Sequence, residues 1–531
     1  MLKLHRPAGR ISLGLACALA LAIPAALRAA PAKPAARSAP PATARTGLES
    51  IERQVQEFTL PNGLRFLVVE RHQAPVFSFF TVVGSGSAND QVGTTGLAHM
   101  MEHMAFKGTS LVGTTDAAKE KVAMDAEEKA WAALLDERRK GARADTAALV
   151  RLEKAFLDSQ IAAGKYVVTG EYSQLIEQAG GQNVNAFTAD DITAYFYSLP
   201  SNRLELWASL FAGAMVDPVF REFYKERDVV YEERRMRVES SPIGRLYYEF
   251  ITSAFNAHPY GFGGIGYPSD LKTFSRTQGE QFFRRNYVAK NMTIAVVGDV
   301  TLAEMKRLAN KYFSDVSDAP APPPIDTVEP KQIAERRVLL EDKAQPFVIV
   351  GWHIPAVSDP SYAAWKAAAD LLGGGHWSRL YKTLVKEKHI AVQAGVGTGT
   401  PGERYPNLFT MFLVPASGQD PAVVEKAAYD VIDEVLGDKP FTQEELDGYK
   451  VRVRAQKIGA AEDNGQLAGE LAQAQVLYGG WREFFREQER VQALTPQDLI
   501  AVMKQALVKS NRTVAMIVNP SQDGEAAKGG R

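Results

Sequence analysis

His99, Glu102 and His103 stand in the order His-x-x-Glu-His within Gly-Leu-Ala-His-Met-Met-Glu-His-Met-Ala-Phe-Lys-Gly-Thr at residues 96–109. Histidines four apart lie one above the other on a helix face, close enough to share one metal ion. Two neutral imidazoles on successive turns are a common way to hold zinc, and the carboxylate beside them can take a proton from a water that the metal activates. The order is the inverted form of the zinc-protease helix motif. The competing reading is chance spacing of two structural histidines. Against it, the chain has only eight His, and two of them share a segment flanked by Leu97, Met100, Met101, Met104 and Phe106. Ionisable groups buried among such neighbours call for a partner, which a metal supplies.

A third ligand has to come from elsewhere in the chain. Residues 223–239 read as a helix carrying Glu226, Glu232 and Glu233 beside Arg227, Arg234, Arg235 and Arg237. Glu226 and Glu233 are seven apart, two turns on one face, which suits one carboxylate at a metal and a second behind it. A solvated, salt-bridged face is the alternative. His258, in the loop His258-Pro259-Tyr260-Gly261, is a further candidate ligand, although it follows no helical pattern.

These groups need elements to hold them. Strands are expected at 64–70, after the turn Pro61-Asn62-Gly63, and at 76–83, so that a hairpin precedes the histidine helix. Thr94 and Thr95 are candidate caps for that helix and Gly108 its stop. Residues 116–165 are rich in Ala, Glu, Lys, Leu and Arg and read as two antiparallel helices with no functional role evident. Gly180-Gly181 then leads to a strand pair at 184–188 and 192–199. An edge strand beside a protease centre can pair with extended substrate, and Asn185, Ala186 and Phe187 are the candidates; an ordinary hairpin is the plainer reading.

The 531 residues, 46% apolar and 23% charged, are enough for two to four domains at roughly 100–200 residues each. A net charge of -1 offers no basic excess, which argues against nucleic acid. Residues 1–30 read as a secretory signal: Lys3, Arg6 and Arg10 precede an apolar run at 11–27 that Pro24 interrupts. No stable membrane anchor is expected after its removal, and a bacterial periplasm fits. The sole Cys, Cys17, lies inside that run, so the mature chain has neither disulfide nor thiol chemistry. Residues 31–48, rich in Pro and Ala, read as a disordered linker.

The zinc-bearing domain is then 49–313 with its helical insertion at 116–165. A Pro-rich linker follows at 314–330, a second domain at 331–521 and a flexible tail at 522–531. The second half repeats the order of the first, with strands at 347–351, 392–398, 408–415 and 513–518. Its helices fall at 362–372, 378–387, 421–436, 442–471 and 496–507. Both halves close on a strand after Asn-x-Thr, at Asn291 and Asn511. Gly373-Gly374-Gly375 lacks the residues that make a phosphate loop. The second half also lacks His-x-x-Glu-His, so one half alone can be catalytic.

The His99-to-His103 motif, Asn185-Ala-Phe-Thr, Glu226-Arg-Asp-Val-Val-Tyr-Glu-Glu233, His258-Pro-Tyr-Gly and the strand Val-Val-Gly-Asp at 296–299 together resemble the pitrilysin or insulinase family of zinc metallopeptidases. The nearest branch is the short bacterial proteins related to the mitochondrial processing peptidase subunits. The resemblance implies an α+β fold of two homologous domains, each a mostly antiparallel sheet backed by helices, enclosing a chamber. It implies one Zn2+ per chain on His99, His103 and Glu233, with Glu102 as general base and Glu226 behind the ligands. Asn185, Ala186 and Phe187 would pair with a peptide or unfolded polypeptide. Glu232 is the register rival of Glu233, and the seven-residue spacing favours Glu233.

One departure matters. Complete members carry an Arg and a Tyr seven apart in the non-zinc domain, and the matching places here are Val385 and Val392, with Arg379 and Tyr381 nearby. The resemblance therefore implies the zinc-bearing subunit of a dimer whose paralogous partner supplies the Arg/Tyr pair. The rivals are another metal-dependent hydrolase, or an envelope assembly or chaperone-like subunit with a vestigial site.

Overall fold

The computed structural model describes residues 46–520. The segment read as a signal, with Cys17, most of the segment read as a linker at 31–48 and the tail from 522 lie outside the described residues. A helix, Thr46–Gln54, begins inside the segment read as linker, so its last three residues belong to the fold.

Six strands make the first sheet: β1 Gln56–Thr59, β2 Arg65–Glu70, β3 Val76–Val83, β4 Gln182–Thr188, β5 Thr193–Pro200 and β6 Met292–Gly298, in the order β1-β2-β6-β3-β5-β4. Five make the second: β7 Arg336–Glu341, β8 Phe347–Ile354, β9 Ala391–Thr400, β10 Asn407–Pro415 and β11 Arg512–Val518, in the order β7-β11-β8-β10-β9. Without β1 the two orders match strand for strand. Each sheet has one parallel pair, β2 with β6 and β7 with β11, and is otherwise antiparallel. The duplication and the mostly antiparallel sheets backed by helices are therefore as expected.

Each sheet is covered on both faces, which is why β3 and β6 are almost wholly apolar and buried. One face of the first sheet packs on helix Leu204–Val216 through Trp207 and Phe211. Its other face, with Leu67, Val82 and Val297, packs against Leu467 and Leu471 of helix Asn464–Leu477 from the second half. The second sheet receives the reciprocal helix, Pro242–Ala254, whose Phe250 and Ile251 meet Ile349 and Ile517. That approach is close: a Cβ at Gly351 of β8 would lie 2.6 Å from the Phe250 ring. The exchange of helices interlocks the two halves into one compact unit.

Several expectations are corrected. The hairpin before the histidine helix is β1–β2, turning at Asn62-Gly63; β2 and β3 are not partners, because β6 lies between them. Strand β7, unread in the sequence, borders the second sheet. The helix expected over 442–471 is two, Gln443–Glu462 and Asn464–Leu477, divided where Asp463 caps the second through the Gln466 N–H. The 314–330 segment has little regular structure, as expected, but Glu329 pins it by accepting the N–H groups of Asn256, Ala257 and His258.

Candidate metal centre

The histidine helix is Leu97–Met104. Leu97, Met100, Met101 and Met104, spaced as one helical stripe, are buried in the first core and fix the helix's rotation. His99 and His103 consequently face helix Phe223–Arg234. The N-terminus is capped neither by Thr94 nor by Thr95. Asp90 accepts the Gly96 N–H at 2.7 Å and the Ala98 N–H at 3.0 Å, while Asp270 accepts the Thr95 hydroxyl at 2.7 Å. Burial pushes the Asp90 carboxyl up to about 8 despite those two donors. The helix stops at Met104 with Ala105 as its cap, short of Gly108.

His99, His103 and Glu233 form the one group of three potential metal ligands found among the described residues, with ligand atoms all within 4.8 Å of one another. His99 Nε2 lies 3.6 Å from Glu233 Oε1, and His103 Nε2 lies 3.5 Å from Glu233 Oε2. Zinc bonds of about 2.0–2.2 Å in a tetrahedron put neighbouring ligand atoms roughly 3.3–3.6 Å apart, so the residues fit that ion. One ligand atom of the cluster, Glu233 Oε1, is buried without a hydrogen bond, with the Arg237 guanidinium 2.7 Å away as its counter-charge.

Burial and the neighbouring His103 push the His99 imidazole down to about 3, so it is neutral and ready to ligate. Burial also opposes charge on His103, but Glu226 and Glu233 outweigh it and raise that imidazole to about 9. A metal binding here displaces that proton. Glu226 Oε2 is 3.4 Å from His103 Nδ1, the nitrogen turned away from Glu233. This is the arrangement that orients a ligating imidazole. Burial works to raise the Glu226 carboxyl, yet His103 and Lys107 hold it at about 2.

Glu102 shares the helix and is half-buried. Burial raises its carboxyl, opposed by the Thr188 hydroxyl at the end of β4 and by His103. Strand β4 is the edge of the first sheet, paired with β5 alone. Asn185, Ala186 and Phe187 lie on it opposite Phe196, Tyr195 and Ala194, with their far side unpaired and Asn185 exposed. A bulge begins at Asn183, whose φ of 55° is left-handed.

The rival acid is excluded by placement. Glu232 points to solvent and pairs with Arg235 at 2.9 Å, one residue from buried Glu233. His258 lies outside the cluster of His99, His103 and Glu233; its Nδ1 accepts the Tyr260 N–H, and its ring packs on Tyr260 and Tyr405. Gly373 ends a helix rather than cradling phosphate, since a Cβ there would sit 2.4 Å from the Val396 nitrogen.

Two neighbours of the centre were missed. Lys107 follows His103 by four and binds Glu226; Arg237 follows Glu233 by four and stands 2.7 Å from its Oε1. The i, i+4 spacing was the signal available for Arg237; Lys107 lies past the end of the histidine helix and binds acids over a hundred residues on, so no local spacing marked it. In the second half, helix Tyr362–Gly373 matches the histidine helix, and its Asp370 is taken by Arg452 and by the Trp377 indole N–H. Val385 packs in the second core, Val392 is exposed on β9, and Arg379 is spent on Glu445.

The family model described as Insulinase (Peptidase family M16) matches residues 65–128 and 161–261, which hold every residue of the centre. The one described as Peptidase M16 inactive domain matches 273–452. The gap between the first two segments is most of the helical insertion. Zinc protease PqqE of Helicobacter pylori is 28% identical over 426 residues, 78% of this chain and 82% of its own. A crystal structure of a protease from Helicobacter pylori superposes with a TM-score of 0.73 at 26% identity, covering 87% of this chain and 99% of that one. The periplasmic protease PqqL from Escherichia coli shares the fold, with a TM-score of 0.65 at 20% identity over 90% of this chain but 48% of that one. With the two models together spanning more than half of its residues, and the repeated sheets and the His-x-x-Glu-His helix in place, the chain belongs to the insulinase family of peptidases, family M16.

Proposed function

We propose that this chain is a zinc-dependent endopeptidase that hydrolyses peptides or unfolded polypeptides. The observation that carries this is the cluster of His99, His103 and Glu233 ligand atoms with Glu102 on the same helix, beside the unpaired edge of β4. Zinc bound there supplies a Lewis acid that acidifies water and polarises a carbonyl. Glu102 takes the proton of the attacking water and returns it to the leaving amine; burial, which raises its carboxyl, suits both tasks. Glu226 holds His103 in register. The backbone of Asn185, Ala186 and Phe187 adds an extended substrate to the sheet.

The chain works as the zinc-bearing subunit of a dimer in the bacterial periplasm, closing a chamber with a paralogous subunit that supplies an Arg/Tyr pair. Two observations support this. Apolar Val385 and Val392 stand where such a pair would be, and PqqL is about twice the length this chain covers.

The test compares the mature chain with Glu102→Gln and Glu233→Gln for zinc content and for cleavage of a quenched, unstructured peptide mixture. One zinc per chain in the first two, cleavage by the unaltered chain alone, and loss of zinc in Glu233→Gln are expected. Zinc without cleavage, even after adding candidate partners, would favour an assembly subunit with a vestigial site.

A further inference from the structure

A π-helical turn, Arg235–Glu239, continues helix Phe223–Arg234, and such turns recur at functional sites. It carries Arg237, whose guanidinium lies 2.7 Å from Glu233 Oε1 with the side chain 26% exposed against 5% for Glu233. The contact is one of charge, since that oxygen makes no hydrogen bond. The other basic groups nearby are committed. Lys107 binds Glu222 and Glu226, Arg235 binds Glu232, and Arg234 binds Glu239 and the Gly266 carbonyl. Arg237 thus stands against the ligand cluster, ion-paired with Glu233 and partly exposed, and none of its five N–H donors makes a hydrogen bond among the described residues.

Peptide hydrolysis puts negative charge on the scissile carbonyl oxygen, and here it would build among the carboxylates of Glu102, Glu226 and Glu233. A fixed cation at that point stabilises the transition state more than the substrate. We propose that Arg237 is a catalytic residue that donates hydrogen bonds to this oxygen; the inference rests on the peptidase reading above. As the water oxygen bonds to the carbonyl carbon, the π pair moves onto the oxygen facing Arg237 and the water proton passes to Glu102. When the C–N bond breaks, the carbonyl re-forms and the proton leaves with the amine.

The test uses the zinc-loaded full chain with Arg237→Gln and Arg237→Lys. Peptide kcat and KM are measured beside the Kd of a phosphinic peptide, a tetrahedral mimic, and zinc affinity by chelator competition. Arg237→Gln should lose about 100-fold in kcat and weaken the phosphinic peptide in proportion, with zinc affinity and KM little changed and Arg237→Lys recovering part. An unchanged kcat and Kd, or a loss matched by lost zinc affinity, would overturn the proposal, the latter showing that Arg237 acts only on Glu233. A chain that binds the phosphinic peptide but turns over nothing still decides the matter through that Kd. A chain binding neither zinc nor the peptide overturns the peptidase reading and this one with it.

Discussion

Lys107 Nζ lies 2.5 Å from Glu226 Oε1, while Oε2 of the same carboxylate lies 3.4 Å from His103 Nδ1. The ammonium also reaches Glu222 at 3.1 Å, at the start of the carboxylate helix, where φ is 55°. Lys107 therefore ties the end of the histidine helix to the start of the helix bearing Glu233 and fixes the rotation of the His103 ring. Groups placed behind metal ligands in this way are worth about 10- to 100-fold in metal affinity. Lys107→Met should weaken zinc by about that factor in chelator competition, and Lys107→Arg should keep most of it. Wild-type affinity in the methionine variant would show that Glu226 holds its place unaided.

Arg221 explains why the helical insertion is more than an elaboration. It is 1% exposed and donates to the carbonyls of Lys107, Thr109 and Val112 and to both oxygens of Glu120, on the insertion's first helix Ala117–Arg139. Gly108 and Gly113 have left-handed φ, and a Cβ on either would meet the guanidinium at 2.9 and 2.4 Å. The loop after the histidine helix is thus clamped to the insertion. Removing one partner of a buried pair leaves an uncompensated charge, so Glu120→Ala should cost about 3–5 kcal/mol in urea unfolding. Arg138→Ala, which breaks the exposed pair with Glu153, is the control and should cost under about 1 kcal/mol. Equal, small losses would mean the clamp contributes little.

What was readable in the sequence was what is local. The stripe of Leu97, Met100, Met101 and Met104 set the histidine helix and put His99 and His103 on its other face; the apolar run at 76–83 is β3 residue for residue. The seven-residue spacing put Glu233, and not Glu232, on the face of Glu226; that this face turns inward came from the resemblance, and Glu233 is 4% exposed. What escaped depends on partners distant in the chain. Nothing near Val76 signals that β6, over two hundred residues on, would separate β2 from β3. Strand β7 was hidden by its edge position: its burial alternates strictly, but apolar Leu339 sits 63% exposed on the outer face, so the residue types Arg-Arg-Val-Leu-Leu-Glu do not alternate. Asp90 lies six residues before the first N–H it caps, beyond the usual capping window. The pairings of Lys107 and Arg221 exist only once separate segments have been packed together.

Among the described residues the second half has no cluster of three metal ligands, but it has a charge cluster of its own with a definite acid signature. Glu487, on helix Glu483–Ala493, takes Lys366 at 2.9 Å and Lys457 at 2.7 Å, tying three helices together. Burial works to raise its carboxyl, but the two lysines prevail and hold it at about 2. A carboxyl depressed in the fold stabilises it fully above its unfolded value of about 4.3 and stops doing so as pH falls through the folded value. Glu487→Gln should therefore be less stable at pH 7, on the order of 2 kcal/mol after allowance for partial solvent contact. That gap should begin to close below about pH 4.3 and be largely gone near pH 2. Urea midpoints of both proteins across this range provide the check, and a gap that stays constant down to pH 2.5 would show that Glu487 is not held ionised by its lysines.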